Sequence, residues 1–505
     1  MSNVFRDNMY QNFPDPNKKI EELGEQVEGY DNTINTLSKV TVSIANFPKL
    51  PPETDDTSRI KRALTYIESL GGGTLVFPSG NYYVTATSSS PNVISVKSNC
   101  SLEGRGNVVI QLNSTSLTNY AIVDIRSVAN VTVRNIKIIG DRDTHVGTTG
   151  EWGMGVNIIE SSNVILDKVV VEKTWGDGIY IGCLTFTPVA HNVNIKATNC
   201  EFQGRRNGMS IIDLTNGVFN SCVFRDTTGT LPKAGVDFEP NSVNQLVENV
   251  RFKDCTFKDN TNAFVTANIN GNVKNLRVID CDFKNGDTHI SLGGTTSPLY
   301  DVKVKGCTFE NFMVAGNKNN AEPAGGLRGV ENAMLDGNTF KNCGKFTIRT
   351  SSSGVLSKRI KIYRSELTDS AGFEVRSGDG IKIKDAEISS FTNFGVFINK
   401  IDTSQTQNIF VDSIEINGSA GGSSIASGVR IDAGDDVSVQ NVTCRKDSGD
   451  LMKRGIYVAS TAGYVKLINN DCKNGGADNG ILNNVAGTYL RNNRMKDGTF
   501  TDTPN

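Results

Sequence analysis

The chain has 505 residues, with 52 lysines and arginines against 54 acids and a net charge of −2. That length exceeds one ordinary compact core and predicts several domains or a repeat architecture. Balanced charge without a basic stripe argues against a nucleic-acid partner, and no run is apolar enough to enter a bilayer.

The first segment, residues 1–16 ("MSNVFRDNMYQNFPDP"), lacks the basic-then-apolar order of a signal peptide. The product is therefore expected to be made in a cytoplasm and to leave, if at all, by a non-standard route. Over residues 17–40, Ile20, Leu23, Val27, Tyr30, Ile34 and Leu37 alternate spacings of three and four, the seam of a short coiled-coil-like helix. An amphipathic helix packed on its own domain has the same pattern, but the position ahead of an extended linker (41–54) favours an oligomerising stalk. Residues 55–84 then predict a cap. Asp56 and Thr57 are N-cap candidates, Ile60, Ala63, Leu64 and Ile67 form an apolar stripe, and the glycines from Gly71 end the helix before a first strand, "TLVFPSGNYYV".

From residue 85 to 497 a Gly-Φ-x-Φ unit (Φ apolar) recurs, mostly every 23 to 30 residues: "GVNI", "GIYI", "GMSI", "GVDF", and later "GFEV", "GVFI", "GVRI", "GIYV" and "GILN". "AFVT" and "HISL" are degenerate copies between them. A second strand family, including "NVRFKDCTF" and "DVKVKGCTF", lies between these units and alternates apolar residues. Short strands at this period without intervening helices predict an all-β, right-handed parallel β-helix with an N-terminal capping helix. Stacking its coils about 4.8 Å apart turns equivalent positions into ladders. Residues 498–505 are left as a C-terminal tail.

Ten cysteines suggest disulfides, yet Cys200, Cys222, Cys255, Cys281 and Cys307 all sit in C-x-F, a slot that Asn338, Ser365 and Ala386 fill on later coils. A slot that accepts Cys, Asn, Ser or Ala selects small size, so these are read as stacked reduced thiols. No CxxC occurs and the three histidines are scattered, so no zinc site is expected.

The opening "DDTSRIKRALTYIESLGGGTLVFPSGNYYV", with "WGDGIYIG", "RRNGMSII" and "GVDFEPN", resembles the pectate-lyase-like (pectin lyase fold) superfamily over roughly residues 55–495. Within it the chain is most similar to bacteriophage tailspike or tail-fibre depolymerases. The resemblance implies a homotrimer in a virion tail, attached to tail or baseplate proteins through residues 1–16. Its implied partner is a bacterial surface polysaccharide or teichoic acid. It does not select one reaction, because such folds carry lyases, hydrolases, epimerases and non-enzymes.

Aligning the Gly-Φ-x-Φ units makes Asn157, Tyr180, Ser210, Asp237, Val265 and Ser291 one outward column. Glu239 follows Asp237 on the same face, about 6.7 Å along at about 3.3 Å per residue. Trp175, Asp177, Arg205, Arg206, Asn207, Asp213 and Lys233 fall on the same three coils. Asp177, Asp237 and Glu239 are the acid/base candidates. Carboxyl groups about 6.5–9.5 Å apart suit inverting hydrolysis, and their repulsion would raise one pKa. Arg205, Arg206 and Lys233 are candidate clamps for a carboxylate or phosphate, Trp175 and Tyr180 for sugar faces, and Asn207 and Asp213 for further substrate contacts. A lyase would use Arg or Ca2+ to stabilise an enolate-like charge; carboxylates dominate the column, so hydrolysis is preferred and no cofactor is assigned.

The competing reading is that solenoid exteriors carry charge for solubility. Glu374 with Arg376 and Arg430 with Asp432 are self-neutralising outward pairs, whereas Asp237 and Glu239 are not. Three loops, 140–152, 183–192 and 226–234, lengthen these coils and predict a rimmed cleft. Alternatives to a depolymerase are a non-catalytic receptor-binding appendage and an exported lyase or epimerase.

Overall fold

A computed structural model describes residues 40–266, 270–317, 322–400, 405–419, 426–446, 451–473 and 479–503. The expected attachment peptide and all but the last residue of the expected stalk helix lie outside these residues. Fifteen strands, from Asn92–Val96 to Asn479–Asn483, form one wholly parallel sheet, one strand per coil. The remaining strands belong to a second sheet in which most coils contribute two short segments, such as Val193–Thr198 and Glu201–Gly204. Stacking one coil on the next pairs the strand backbones of successive coils, and the inner residues of all three strand families make one continuous apolar core.

Eleven of the fifteen one-per-coil strands are the Gly-Φ-x-Φ units and their two degenerate copies. The four without that signature are Asn92–Val96, Asn119–Arg126, Gly325–Arg328 and Phe346–Arg349. Gly325 occupies the position of an inward Φ because the preceding coil places His289 in the same space. A Cβ on Gly325 would lie 2.0 Å from His289 Cε1.

The C-x-F column is a physical ladder. Phe257 and Phe283 stack at 4.5 Å, Phe283 and Phe309 at 4.7 Å, and Phe309 and Phe340 at 4.8 Å. All ten cysteines are free thiols, and nine are buried. A polar ladder runs beside it. Asn163, Asn194, Asn216 and Asn249 each donate Nδ2 to the Oδ1 of the preceding coil's Asn at 2.9–3.1 Å. Each also has a left-handed backbone, with φ between 55° and 62°. Asn tolerates that conformation better than most residues, which explains its recurrence immediately before an inward residue of each strand.

Both ends of the solenoid differ from expectation. The 41–54 linker begins with a strand, Thr41–Ser43, that pairs in parallel with Thr74–Val76. The helix Thr57–Ser69 then buries Ile60, Ala63, Leu64 and Ile67 against the first coil. Asp56 is its N-cap, but the carboxylate accepts from Tyr83 N and Arg59 rather than from the helix backbone. In the C-terminal tail, Phe500–Thr503 folds back antiparallel onto Tyr489–Arg494. Both departures have one cause: a terminal coil otherwise leaves its backbone donors and acceptors unpaired.

Candidate active site

The outward column expected from the sequence is present in register: Asn157, Tyr180, Ser210, Asp237, Val265 and Ser291 are successive partners. Asp177 and Asn207 precede the glycines of their strands, and Glu239 follows the end of Ala234–Phe238. Three coils thus bring Asp177, Arg206, Asn207, Ser210, Asp237 and Glu239 together.

Arg206 stands at the centre. Its guanidinium donates to Asp177 Oδ2 at 3.3 Å and to Glu239 Oε2 at 2.9 Å, and Glu151 Oε2 lies 3.3 Å from Nε. Asp177 also accepts from Ser210 Oγ at 2.7 Å and from Asn207 N at 3.1 Å. Asn207 Nδ2 reaches Ser210 Oγ at 2.9 Å and Asp237 Oδ2 at 3.4 Å. The repulsion that the sequence poses between Asp237 and Glu239 is therefore answered from the adjacent coil.

Burial divides the three acids. Asp177 and Asp237 are wholly enclosed, whereas the Glu239 side chain is 16% exposed beside an Arg206 side chain that is 14% exposed. Burial raises the Asp177 pKa to about 6, against the pull of Arg206 and the Ser210 hydroxyl, with the Glu239 charge adding to the rise. Burial alone would lower the Arg206 pKa, but Asp177 and Glu239 outweigh it and hold the guanidinium firmly charged. The Tyr180 phenol is raised, first by burial and then by Cys183, Asp177 and Glu239.

Four candidates from the sequence do not join this cluster. Trp175 is buried between the His145 ring, stacked at 4.0 Å, and the Arg205 guanidinium, 3.7 Å from its ring centre, so its faces are occupied. Arg205 donates to the carbonyls of Trp175 and Gly150 and to Thr230 Oγ1, which ties the 140–152 and 226–234 loops together. Asp213 is buried and accepts from His191 Nδ1 at 2.7 Å, Asn192 N at 3.2 Å and Leu246 N at 2.9 Å, which anchors the 183–192 loop. Each is bound to loop backbone, so Arg205 and Asp213 build the rims and Trp175 packs beneath one of them. Lys233 is half-buried at the edge of its loop, in a left-handed backbone with φ 58°.

An exposed aromatic beside Tyr180 was missed. Trp152 is 52% exposed, and its ring lies 6.0 Å from that of Tyr180. Its position at the end of the 140–152 loop was the available signal. The rims also expose Leu184, Phe186 and Leu231. Among the described residues no cluster of three His, Cys, Asp or Glu has the arrangement of a metal site.

Comparison with known proteins agrees with this architecture. A family model described as a right-handed β-helix region matches residues 80–249. The chain is 30% identical over 243 residues to the uncharacterized protein YclG of Bacillus subtilis (strain 168), covering 43% of this chain and 41% of YclG. It is 27% identical over 254 residues to the SPbeta prophage-derived uncharacterized protein YorA of the same strain, covering 45% of this chain and 42% of YorA. Both matches thus span about two fifths of the relatives' own length. Among solved structures, a tailspike protein double mutant of E. coli bacteriophage HK620, in complex with a pentasaccharide, superposes with a TM-score of 0.55. Sequence identity there is 16%, over 92% of this chain and 78% of the tailspike. The class is therefore a right-handed parallel β-helix protein, with the fold found in a phage tailspike.

Proposed function

We propose that this chain binds and cleaves a polysaccharide of the bacterial cell surface as part of a phage tail appendage. The observation that carries the reading is the pair Asp177 and Glu239, held on one guanidinium. One is buried with a pKa near 6; the other faces solvent. Further support comes from the tailspike complex of the same fold, which holds a pentasaccharide, and from the prophage origin of one relative. Three copies join through residues 17–40, and residues 1–16 attach them to the tail.

Glu239, the exposed carboxylate, takes a proton from the attacking water. Asp177, partly protonated at neutral pH, supplies the proton that the leaving sugar oxygen needs, once Arg206 turns from it toward the substrate. Asn207 and Ser210 hold the Asp177 carboxyl, and Trp152 with Tyr180 offers the aromatic surface for a sugar ring. One observation favours a second reading, binding without cleavage: Asp177 and Asp237 are fully enclosed, and their hydrogen bonds run to protein groups.

The test incubates wild type, Glu239→Gln and Asp177→Asn with bacterial capsules, exopolysaccharides and teichoic acids. Hydrolysis is expected to yield new reducing ends without near-ultraviolet absorbance, and Glu239→Gln to slow it about 10²–10⁴-fold while binding persists. Absorbing unsaturated products would replace hydrolysis by elimination. Binding without products from wild type would select the second reading.

A further inference from the structure

The acid cluster is poorly suited to gripping an anionic polymer. Asp177, Glu239 and Glu151 all lie against Arg206, whose guanidinium is engaged with them, and Arg205 is committed to loop carbonyls. The clamp has to come from another part of the surface, and the same face of the same sheet carries one.

The outward column through Asp237 continues as Val265, Ser291, Gly326, Thr347 and Glu374. The parallel column that contains Glu239 continues with Gly293, Arg328 and Arg349, which are register partners, and then Arg376, which follows Val375, the partner of Ile348. Arg328 lies three coils beyond Glu239 and Arg376 five, about 14 Å and about 24 Å at about 4.8 Å per coil. The first column carries Val265, Ser291, Gly326 and Thr347 on these coils, of which Val265, Gly326 and Thr347 are buried, and Gly293 precedes Arg328 in the other. A Cβ on Gly326 would lie 2.1 Å from Thr347 O, so that position cannot carry a side chain. This face of the sheet is therefore acidic on the Asp177–Glu239 coils and basic on the Arg328–Arg376 coils.

Like charges in direct register repel, and among the described residues of this stack Arg376 alone is within ion-pair distance of a carboxylate. Glu374 Oε2 lies 3.0 Å from Arg376 Nε and 3.6 Å from Lys345 Nζ, so it already serves two cations. Among the described residues no carboxylate comes within ion-pair distance of Arg328 or Arg349, and Glu322 attracts Arg328 only from farther away. Burial lowers the Arg328 pKa, and the Arg349 charge lowers it further. A bound anion would relieve both effects.

We propose that Arg328 and Arg349, flanked by Arg376, form an anion-binding subsite for the carboxylate or phosphate groups of a polymer that also reaches Asp177 and Glu239. As a substrate subsite it rests on the reading given above; as an anion site it stands on the arginine stack alone. Guanidinium groups match either anion bidentately, and successive arginines take successive charges of a chain.

The full chain is tested as wild type, as Arg328→Gln with Arg349→Gln, and as Arg328→Lys with Arg349→Lys. The probes are polygalacturonate for carboxylate, poly(glycerol phosphate) teichoic acid for phosphate, and dextran as the neutral control, at low and high NaCl. Wild type is expected to bind at least one anionic probe and not dextran, and the probe bound identifies the anion. The Gln pair should weaken that binding about 10-fold or more and flatten its salt dependence, while the Lys pair retains part of it. Unchanged binding by the Gln pair, equal binding of dextran, or no binding of either polyanion by wild type would overturn the proposal. Binding that depends on these arginines without any cleavage would remove the hydrolase and leave the subsite. Cleavage indifferent to them would do the reverse.

Discussion

Asp177 and His289 are both fully enclosed, and burial acts on each by disfavouring its charged form. For Asp177 this raises the pKa from 3.8 to about 6, so the folded state binds the proton more tightly than the unfolded chain. Its stabilising contribution is complete below about pH 4 and is lost as pH rises through about 6, on the order of 3 kcal/mol. Asp177→Asn should therefore be as stable as wild type or more stable at neutral pH, with the gain shrinking toward pH 4, while losing activity. Urea unfolding at the two pH values checks this. His289 runs the other way. Its pKa falls from 6.5 to about 3, and neither ring nitrogen has a hydrogen-bond partner among the described residues; Phe309, Phe312, Phe340 and Phe346 surround the ring. Its contribution is complete above pH 6.5 and is lost as pH falls toward 3, at about 1.4 kcal/mol per unit. His289→Leu should flatten the acid limb of a stability–pH curve; an unchanged limb would place the acid sensitivity elsewhere.

At the scale of the element, the strands owe their register to ladders. The Asn ladder combines a left-handed backbone with a side-chain hydrogen bond between coils, so Asn216→Ala loses both, at about 1–3 kcal/mol. Asn216→Gly should recover the backbone part, and thermal unfolding of the two variants separates the terms. The ladder was legible in principle, since Asn163, Asn216 and Asn249 stand in the sequence at like positions. The Cys and Phe columns were plainer, because inward residues recur at every second position of a strand and one small slot takes Cys, Asn, Ser or Ala. The coil at Gly325–Arg328 was hidden because Gly325 takes an apolar slot against His289, and that at Phe346–Arg349 because Lys345 stands in the glycine slot.

At the scale of the whole molecule, a solenoid is only as soluble as its ends are closed. The helix Thr57–Ser69 covers the first coil, and Thr41–Ser43 and Phe500–Thr503 pair with terminal strands of the second sheet. Ile60→Asp with Ile67→Asp would place two charges where both side chains are wholly buried, so the helix should leave its seat. Light scattering should then register concentration-dependent association through the uncovered coil; a monodisperse variant would mean that the strand at Thr41–Ser43 suffices.

The sequence by itself determined the repeat, the inward ladders, the capping helix and the outward column through Tyr180, Ser210 and Asp237. All of these follow from a two-residue side-chain period and a coil length repeated along the chain. Tertiary structure alone decided which charges meet. Arg206 joins acids from three coils, Arg205 and Asp213 turn instead to loop carbonyls and amides, and Trp175 is sandwiched while Trp152 stays exposed. Period assigns a residue to a face, but a long side chain on that face reaches several neighbours, and loop packing selects among them.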